Sequence, residues 1–222
     1  MQTNNQAKRI LCYGDSNTRW RDPSGMGLKR FSPKERRTGI LQDLLGNDYE
    51  IIEEGLGART TMFDDPRPDL PGRNGLTMLA PILDTHVPLD IVILMLGTTD
   101  TKPMIQATSE NIGEWLRKLI KTIKEFKLIN DYAPPKILVI VPPIVKDDAA
   151  FASTIFAWST EKGRELKTIY QKIAEEEHTF FLDPTAEITV DEQEWVHMTS
   201  KSHKKLAQFI YEKLTKKDII IQ

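Results

Sequence analysis

The sequence predicts a doubly wound α/β domain built on a parallel sheet, and three observations carry that prediction. Apolar runs alternate with amphipathic segments along the whole chain. The run 90-DIVILML-96 has no polar alternation, as a strand covered on both faces requires. The segments between the runs repeat apolar residues at helical spacing. A βαβα rhythm of this kind lays successive strands parallel, with helices on both faces.

The elements follow in order. Candidate strands are 9-RILCY-13, 49-YEIIEE-54, 90-DIVILML-96, 136-KILVIVPP-143 and 179-TFFLD-183. Segments 34–45 and 75–84 read as short helices. In 109-SENIGEWLRKLIKTIKEF-126, Ile112, Trp115, Leu116, Leu119, Ile120 and Ile123 recur at i+3 and i+4. Leu166, Ile169, Tyr170 and Ile173 form a similar stripe in 160–176, and Leu206, Ile210 and Leu214 in 202–214. The irregular stretches 17–33, 55–74 and 142–158 have the length of functional loops. With no repeat, low-complexity tract or linker, residues 1–222 read as one domain.

Composition narrows the class. A chain of 222 residues, 40% hydrophobic, can bury about 70% of its unfolded surface. Its 30 basic and 32 acidic side chains leave a net charge of −2 and no basic stripe, which argues against nucleic acid as partner. Lys29-Arg30, Arg36-Arg37, Lys204-Lys205 and Lys216-Lys217 read as solvated helix ends and faces. Cys12, the only cysteine, permits no intrachain disulfide and reads as a core residue. The N-terminus lacks an apolar signal region, and no run approaches the ~20 residues of a membrane span, so a cytoplasmic location is expected. The apolar tail 219-IIIQ-222 suggests burial against a neighbouring subunit, hence a homo-oligomer.

In an open α/β sheet, ligands bind beyond the carboxyl ends of the strands. Three polar or glycine-bearing segments stand there: Gly14-Asp15-Ser16, Glu54-Gly55-Leu56-Gly57-Ala58-Arg59 and Gly97-Thr98-Thr99-Asp100. Convergence on one rim would place the Ser16 hydroxyl in a site, where it needs a base. Of the four histidines, His86 reads as a surface or capping residue, and His178 as a favourable charge at a helix C-terminus. His203 lies within the last helix, where a structural hydrogen bond is the simpler role. His197 sits in a polar loop with Glu194 three residues before it, a spacing that lets a carboxylate orient the imidazole.

The blocks GDSN at 14–17, the glycine-bearing loop at 55–59, GTTD at 97–100 and the carboxylate-x-x-His at 194–197 resemble SGNH (GDSL-type) hydrolases. Within that family, 53-EEGLGARTT-61, 64-DDP-66, 72-GRNG-75 and 89-LDIVILMLGTTDTK-102 are most similar to the bacterial arylesterase and acyltransferase branch. The resemblance spans about residues 8 to 214 and implies a three-layer α/β/α sandwich with a five-stranded parallel sheet, flavodoxin-like in its winding. It implies Ser16 as nucleophile, His197 as base and Glu194 as its partner. Ser16, Gly57, Ala58 and Thr99 would form the oxyanion hole, with no metal or organic cofactor and a small ester as substrate. The branch's oligomeric habit also implies an oligomer.

Four differences from the pattern stand out. Thr99 occupies the place of the family's asparagine, and losing one oxyanion donor costs about 10²–10³ in turnover. Glu194 replaces the aspartate, with Asp191 as a possible substitute one turn back, and Trp195 replaces the glycine after it. Arg19-Trp20-Arg21 replaces a Trp-Gly-Trp run, putting Arg19 and Trp20, with Trp195, among expected substrate contacts. Phe151, Phe156 and Trp158 could line an acyl or aryl pocket, form a subunit contact or simply pack in the core. The leading expectation is a serine esterase or acyltransferase. The alternatives are a catalytically weakened or inactive binding protein on the same fold, and a nucleotide binder. The last lacks any phosphate-cradling glycine motif.

Overall fold

A computed structural model describes residues 4–19, 29–126, 132–148, 150–216 and 219, without the side chains of residues 150, 151 and 216. The strands are β1 (Lys8–Gly14), β2 (Tyr49–Gly55), β3 (Ile91–Met95), β4 (Lys136–Ile140) and β5 (Phe180–Leu182). The helices are α1 (Ser16–Arg19), α2 (Arg37–Leu45), α3 (Gly75–His86), α4 (Ser109–Glu125), α5 (Ala150–Ile155), α6 (Ser159–Glu176) and α7 (Ser200–Lys216). All five strands pair parallel in the order β2-β1-β3-β4-β5. That is the expected five-stranded α/β architecture, with α1 and α5 as short additions inside stretches that read as irregular.

Alternation along each strand sorts the side chains between two cores. Leu11, Tyr13, Val92, Leu94, Ile137 and Val139 face α3, α4 and α6. Ile10, Cys12, Ile91, Ile93, Leu138 and Ile140 face α2 and α7. Both sets are almost completely buried, and each such Leu or Ile contributes about 1.5–3 kcal/mol over an exposed one. Burial pushes the Cys12 thiol up to about 11, consistent with a core residue rather than a reactive one. α4 begins on a capping box, in which the Thr108 hydroxyl accepts from the Asn111 N–H and the Asn111 side chain from the Thr108 N–H, both at 3.2 Å.

Register decides where the loops meet. Gly14 lies beside both Gly55 and Met95, so the loops after β1, β2 and β3 leave one rim together. α2, which follows β1, and α4, which follows β3, pack on opposite faces of the sheet. The crevice opens at this topological switch point. Gly14 is required there: a Cβ would stand 2.0 Å from the Thr18 hydroxyl and 2.6 Å from the Met95 carbonyl oxygen.

Two expectations are corrected by packing. Arg37 is not part of a solvated run but is fully buried between α2 and the turn after β1, while Arg36 pairs with Glu53 at 2.9 Å. Ile219 packs into this chain's own core, and its carbonyl accepts from Lys136 Nζ at 2.8 Å. The part of the oligomer argument resting on Ile219 is thereby removed; residues 220–222 lie outside the described residues. Among the described residues no helix is long and apolar enough to cross a membrane.

Candidate active site

The chain turns sharply after β1, and the side chains of that turn hold it. Asp15 Oδ1 accepts from the Asn17 N–H at 2.8 Å, and the Asp15 carbonyl accepts from the Thr18 and Arg19 N–H groups at 3.1 and 2.9 Å. The resulting short helix α1 presents Ser16 to the crevice while Asp15, Asn17 and Thr18 are buried. Arg37 secures the turn from behind, donating to the Asn17 carbonyl at 3.0 Å and the Thr18 hydroxyl at 2.9 Å. Arg59 donates to the carbonyls of Gly14, at 3.0 Å, and Glu54, and its guanidinium lies 4.2 Å from the centre of the Tyr13 ring.

The last loop brings a histidine to this serine from 181 residues away. His197 Nε2 lies 2.8 Å from Ser16 Oγ, and Nδ1 is in close contact with Glu194 Oε1. The same carboxylate oxygen accepts from the His197 backbone N–H at 2.8 Å. Nδ1 therefore carries the proton donated to Glu194, and Nε2 is free to accept from the serine. Glu194 fills the carboxylate position; Asp191 is occupied otherwise, its Oδ1 accepting from the Gln193 N–H at 2.8 Å. Asn17 closes the arrangement, its Oδ1 accepting from the Met198 N–H at 3.0 Å and tying the serine turn to the histidine loop.

Trp195 explains how a bulky residue replaces a glycine there. Its φ of 61° is in the left-handed region that favours glycine. Its ring packs against Val145, Ala152, Phe156 and Val196 with Lys146 Nζ 4.5 Å above it, and this packing offsets the backbone strain. Trp195 is not among the residues lining the cleft and packs against the cluster that contains Phe156. Trp20 lies outside the described residues. Phe156 lines the cleft, Trp158 is 71% exposed, and the Phe151 side chain is not among those described.

The cleft holds about 270 Å³ and takes in Ser16, His197, Gly57, Ala58, Thr98 and Thr99. Among the described residues the Gly57 and Ala58 N–H groups have no hydrogen-bond partner, nor has the Thr99 hydroxyl. Asp100 locks the second and third loops together, accepting from the Thr61 N–H at 2.9 Å and the Thr61 hydroxyl at 2.7 Å. Burial pushes its carboxyl up to about 6 against those hydrogen bonds. Burial likewise raises the Asp15 carboxyl, opposed by the Asn17 N–H, the His197 ring and Thr98, although Asp15 Oδ2 and Thr98 Oγ1 are buried without a fully formed hydrogen bond.

His203 departs from its expected structural role. Its Nδ1 is buried without a partner among the described residues, and its ring meets Phe31 edge-on at 5.4 Å. Burial, then Arg37 and His197, push it down to about 3. His86 does end α3, and it contacts Glu54 at 2.9 Å. Lys29 and Arg30 are exposed, as a solvated run would be, and stand at the cleft rather than on a helix face.

Asn17, Arg37, Arg59, Asp100 and Lys102 were not assigned roles from sequence. Only their positions within or beside the GDSN, GLGAR and GTTD blocks could have flagged Asn17, Arg59, Asp100 and Lys102; nothing local marks Arg37.

Comparisons with known proteins identify the family and the fold. Residues 12–205 match the model of the GDSL-like lipase/acylhydrolase family. The aryl esterase of M. smegmatis superposes with a TM-score of 0.88 at 37% identity, covering 95% of this chain and 99% of its own. A carbohydrate acetylesterase from Sinorhizobium meliloti gives 0.87 at 33%, covering 94% and 99%. A carbohydrate acetylesterase family member from the same organism gives 0.89 at 29%, covering 97% and 100%. No curated protein sequence matches at a significant level. A serine, a histidine and a carboxylate aligned at the switch point of this sheet, on a chain matched over most of its length, mean that it belongs to the GDSL-like lipase/acylhydrolase family, as a carboxylic ester hydrolase.

Proposed function

We propose that the protein hydrolyses small carboxylic esters through an acyl-enzyme on Ser16. The observation that carries this reading is the continuous line from Ser16 Oγ through both nitrogens of His197 to Glu194. Ser16 Oγ attacks the ester carbonyl carbon as its proton passes to His197 Nε2. Glu194 stabilises the imidazolium and fixes its tautomer. The negative charge on the former carbonyl oxygen meets the N–H groups of Ser16 and of Gly57 or Ala58, with the Thr99 hydroxyl beside them. Collapse breaks the ester C–O bond, and the leaving alcohol takes the proton from Nε2. Water then gives a proton to Nε2 and attacks the acyl carbon; release of the acid returns the proton to Ser16. An alcohol in place of water would make the second step an acyl transfer.

An aryl acetate is the natural first substrate, since the solved relatives are described as an aryl esterase and carbohydrate acetylesterases. Steady hydrolysis of 4-nitrophenyl acetate should fall by about 10³-fold or more in both Ser16→Ala and His197→Ala, as loss of a triad member implies. A phosphonate ester should label wild type once, by mass, and leave Ser16→Ala unlabelled. Turnover that persists in Ser16→Ala would reject the mechanism.

A further inference from the structure

The cleft is far more basic than the chain that makes it. Arg19, Lys29, Arg30, Arg67, Arg73 and Lys102 line it, and among the described lining residues there is no carboxylate. The chain as a whole carries a net charge of −2, so this concentration does not follow from composition. Some of these cations are held internally. Arg67 is paired with Asp65, with Nε–Oδ1 at 2.8 Å, and Arg73 donates to the Gly57 carbonyl at 3.0 Å and the Pro71 carbonyl at 2.6 Å. Arg30 reaches the Arg19 carbonyl at 3.2 Å.

Lys102 differs from these. It is only 7% exposed, and its ammonium lies 4.9 Å from the centre of the Phe156 ring. Among the described residues it makes no ion pair, and neither does Arg19. A desolvated ammonium without a counter-ion is strongly disfavoured. Burial, with Arg67 adding to it, holds Lys102 down to about 8, and Asp65, Asp15 and Asp100 oppose that shift from a distance. The ring face of Phe156 offsets part of the cost, but a ring carries no net charge. A wall of this kind beside a nucleophile is explained when the missing counter-ion arrives with the ligand.

We propose that the ester this site takes carries an anionic group, seated on Lys102 with Arg19 and the other cleft cations around it. This deepens the reading of the site as an ester hydrolase and rests on it. The anion belongs either to the acyl part or to the leaving group, and two pairs of probes separate these cases. The first pair is the mono-4-nitrophenyl ester of glutaric acid against 4-nitrophenyl pentanoate. The second is 4-acetoxybenzoate against 4-acetoxybenzamide.

At neutral pH and low ionic strength, the anionic member of at least one pair should be preferred about tenfold or more in kcat/KM, mostly through KM. The preference should shrink with added salt. It should fall to about twofold or less in Lys102→Met and in Lys102→Gln, and recover in part in Lys102→Arg. Equal or better turnover of the neutral member in both pairs would overturn the proposal, as would a preference unchanged in both Lys102→Met and Lys102→Gln. A separate readout needs no turnover: glutarate or benzoate should raise the Tm of wild type and not that of Lys102→Met. If that stabilisation appears with no ester hydrolysed, the anion site stands and the hydrolase mechanism fails. If esters are hydrolysed with neither charge preference nor stabilisation, the mechanism stands and the anion site fails.

Discussion

The two walls of the cleft differ in how the groups nearest the reacting atoms are held, although on the first Asp15 Oδ2, Asn17 Nδ2 and Arg37 Nε are buried without a partner among the described residues. On the side of Ser16, the Asn17 carbonyl meets Arg37, the Asn17 Oδ1 meets the Met198 N–H, and Glu194 meets both the ring and the backbone of His197. On the side of the third loop, Lys102 has an aromatic face and no counter-ion among the described residues. A group satisfied inside the chain keeps its geometry whatever enters the cleft, which suits atoms that must align to within a fraction of an ångström. A group left unsatisfied lowers its free energy only when a ligand comes, which suits selection. One wall is built to be indifferent to the substrate and the other to depend on it.

Removing a tether from the packed wall is the most direct way to break this contrast. Asn17→Ala leaves the buried Met198 N–H unpaired and frees the histidine loop from the serine turn. We expect a loss of about 1–3 kcal/mol in stability and about a hundredfold in kcat/KM on 4-nitrophenyl acetate. Urea unfolding beside steady-state kinetics would show both; unchanged kinetics would mean that Ser16 and His197 align without this bond.

Acid tests how dry the packed wall is. His203 holds a folded value of about 3 against an ordinary 6.5, so below 6.5 the unfolded chain binds the proton that the folded one refuses. Its contribution is fully present above about pH 6.5 and is lost as pH falls toward about 3, reaching a loss of about 2 kcal/mol near pH 5. Between neutral pH and pH 5, wild type should therefore lose about that much more stability than His203→Leu in denaturant unfolding. Parallel pH profiles would show that water reaches this imidazole.

The smallest expected change falls where the two walls meet. Thr99→Asn restores an amide donor beside Ser16 and should raise kcat on 4-nitrophenyl acetate about tenfold, less than a full oxyanion donor can contribute. No gain would mean that the Thr99 hydroxyl already serves, or that the third loop places this side chain away from the oxyanion.

How much of this was legible in advance varies by element. The strand 9-RILCY-13 and the helix 109–126 were readable to within a residue or two, because their periodicity is local and both cores demand it. The run 136–143 was read too long: β4 stops at Ile140, and Pro142 and Pro143 cannot donate to a ladder. The blocks carrying Ser16, Gly57 and Thr99 were visible as polar segments at strand ends and His197 as part of a polar loop, and resemblance to a known family supplied the roles expected of them. The burial of Arg37 and the packing of Trp195 against the cluster of Phe156 were not visible, since each depends on what approaches from elsewhere in the chain.

By itself, the sequence determined the alternation of strands and helices and the residue types offered at the rim, since both are properties of short stretches. Only the tertiary structure decided which of those residues meet. The register that sets Gly14 beside Gly55 and Met95, and the contact of Ser16 with a histidine 181 residues away, arise when two cores close on one sheet. That closure also desolvates Lys102 and Arg37, giving one a pocket to wait in and the other a turn to hold.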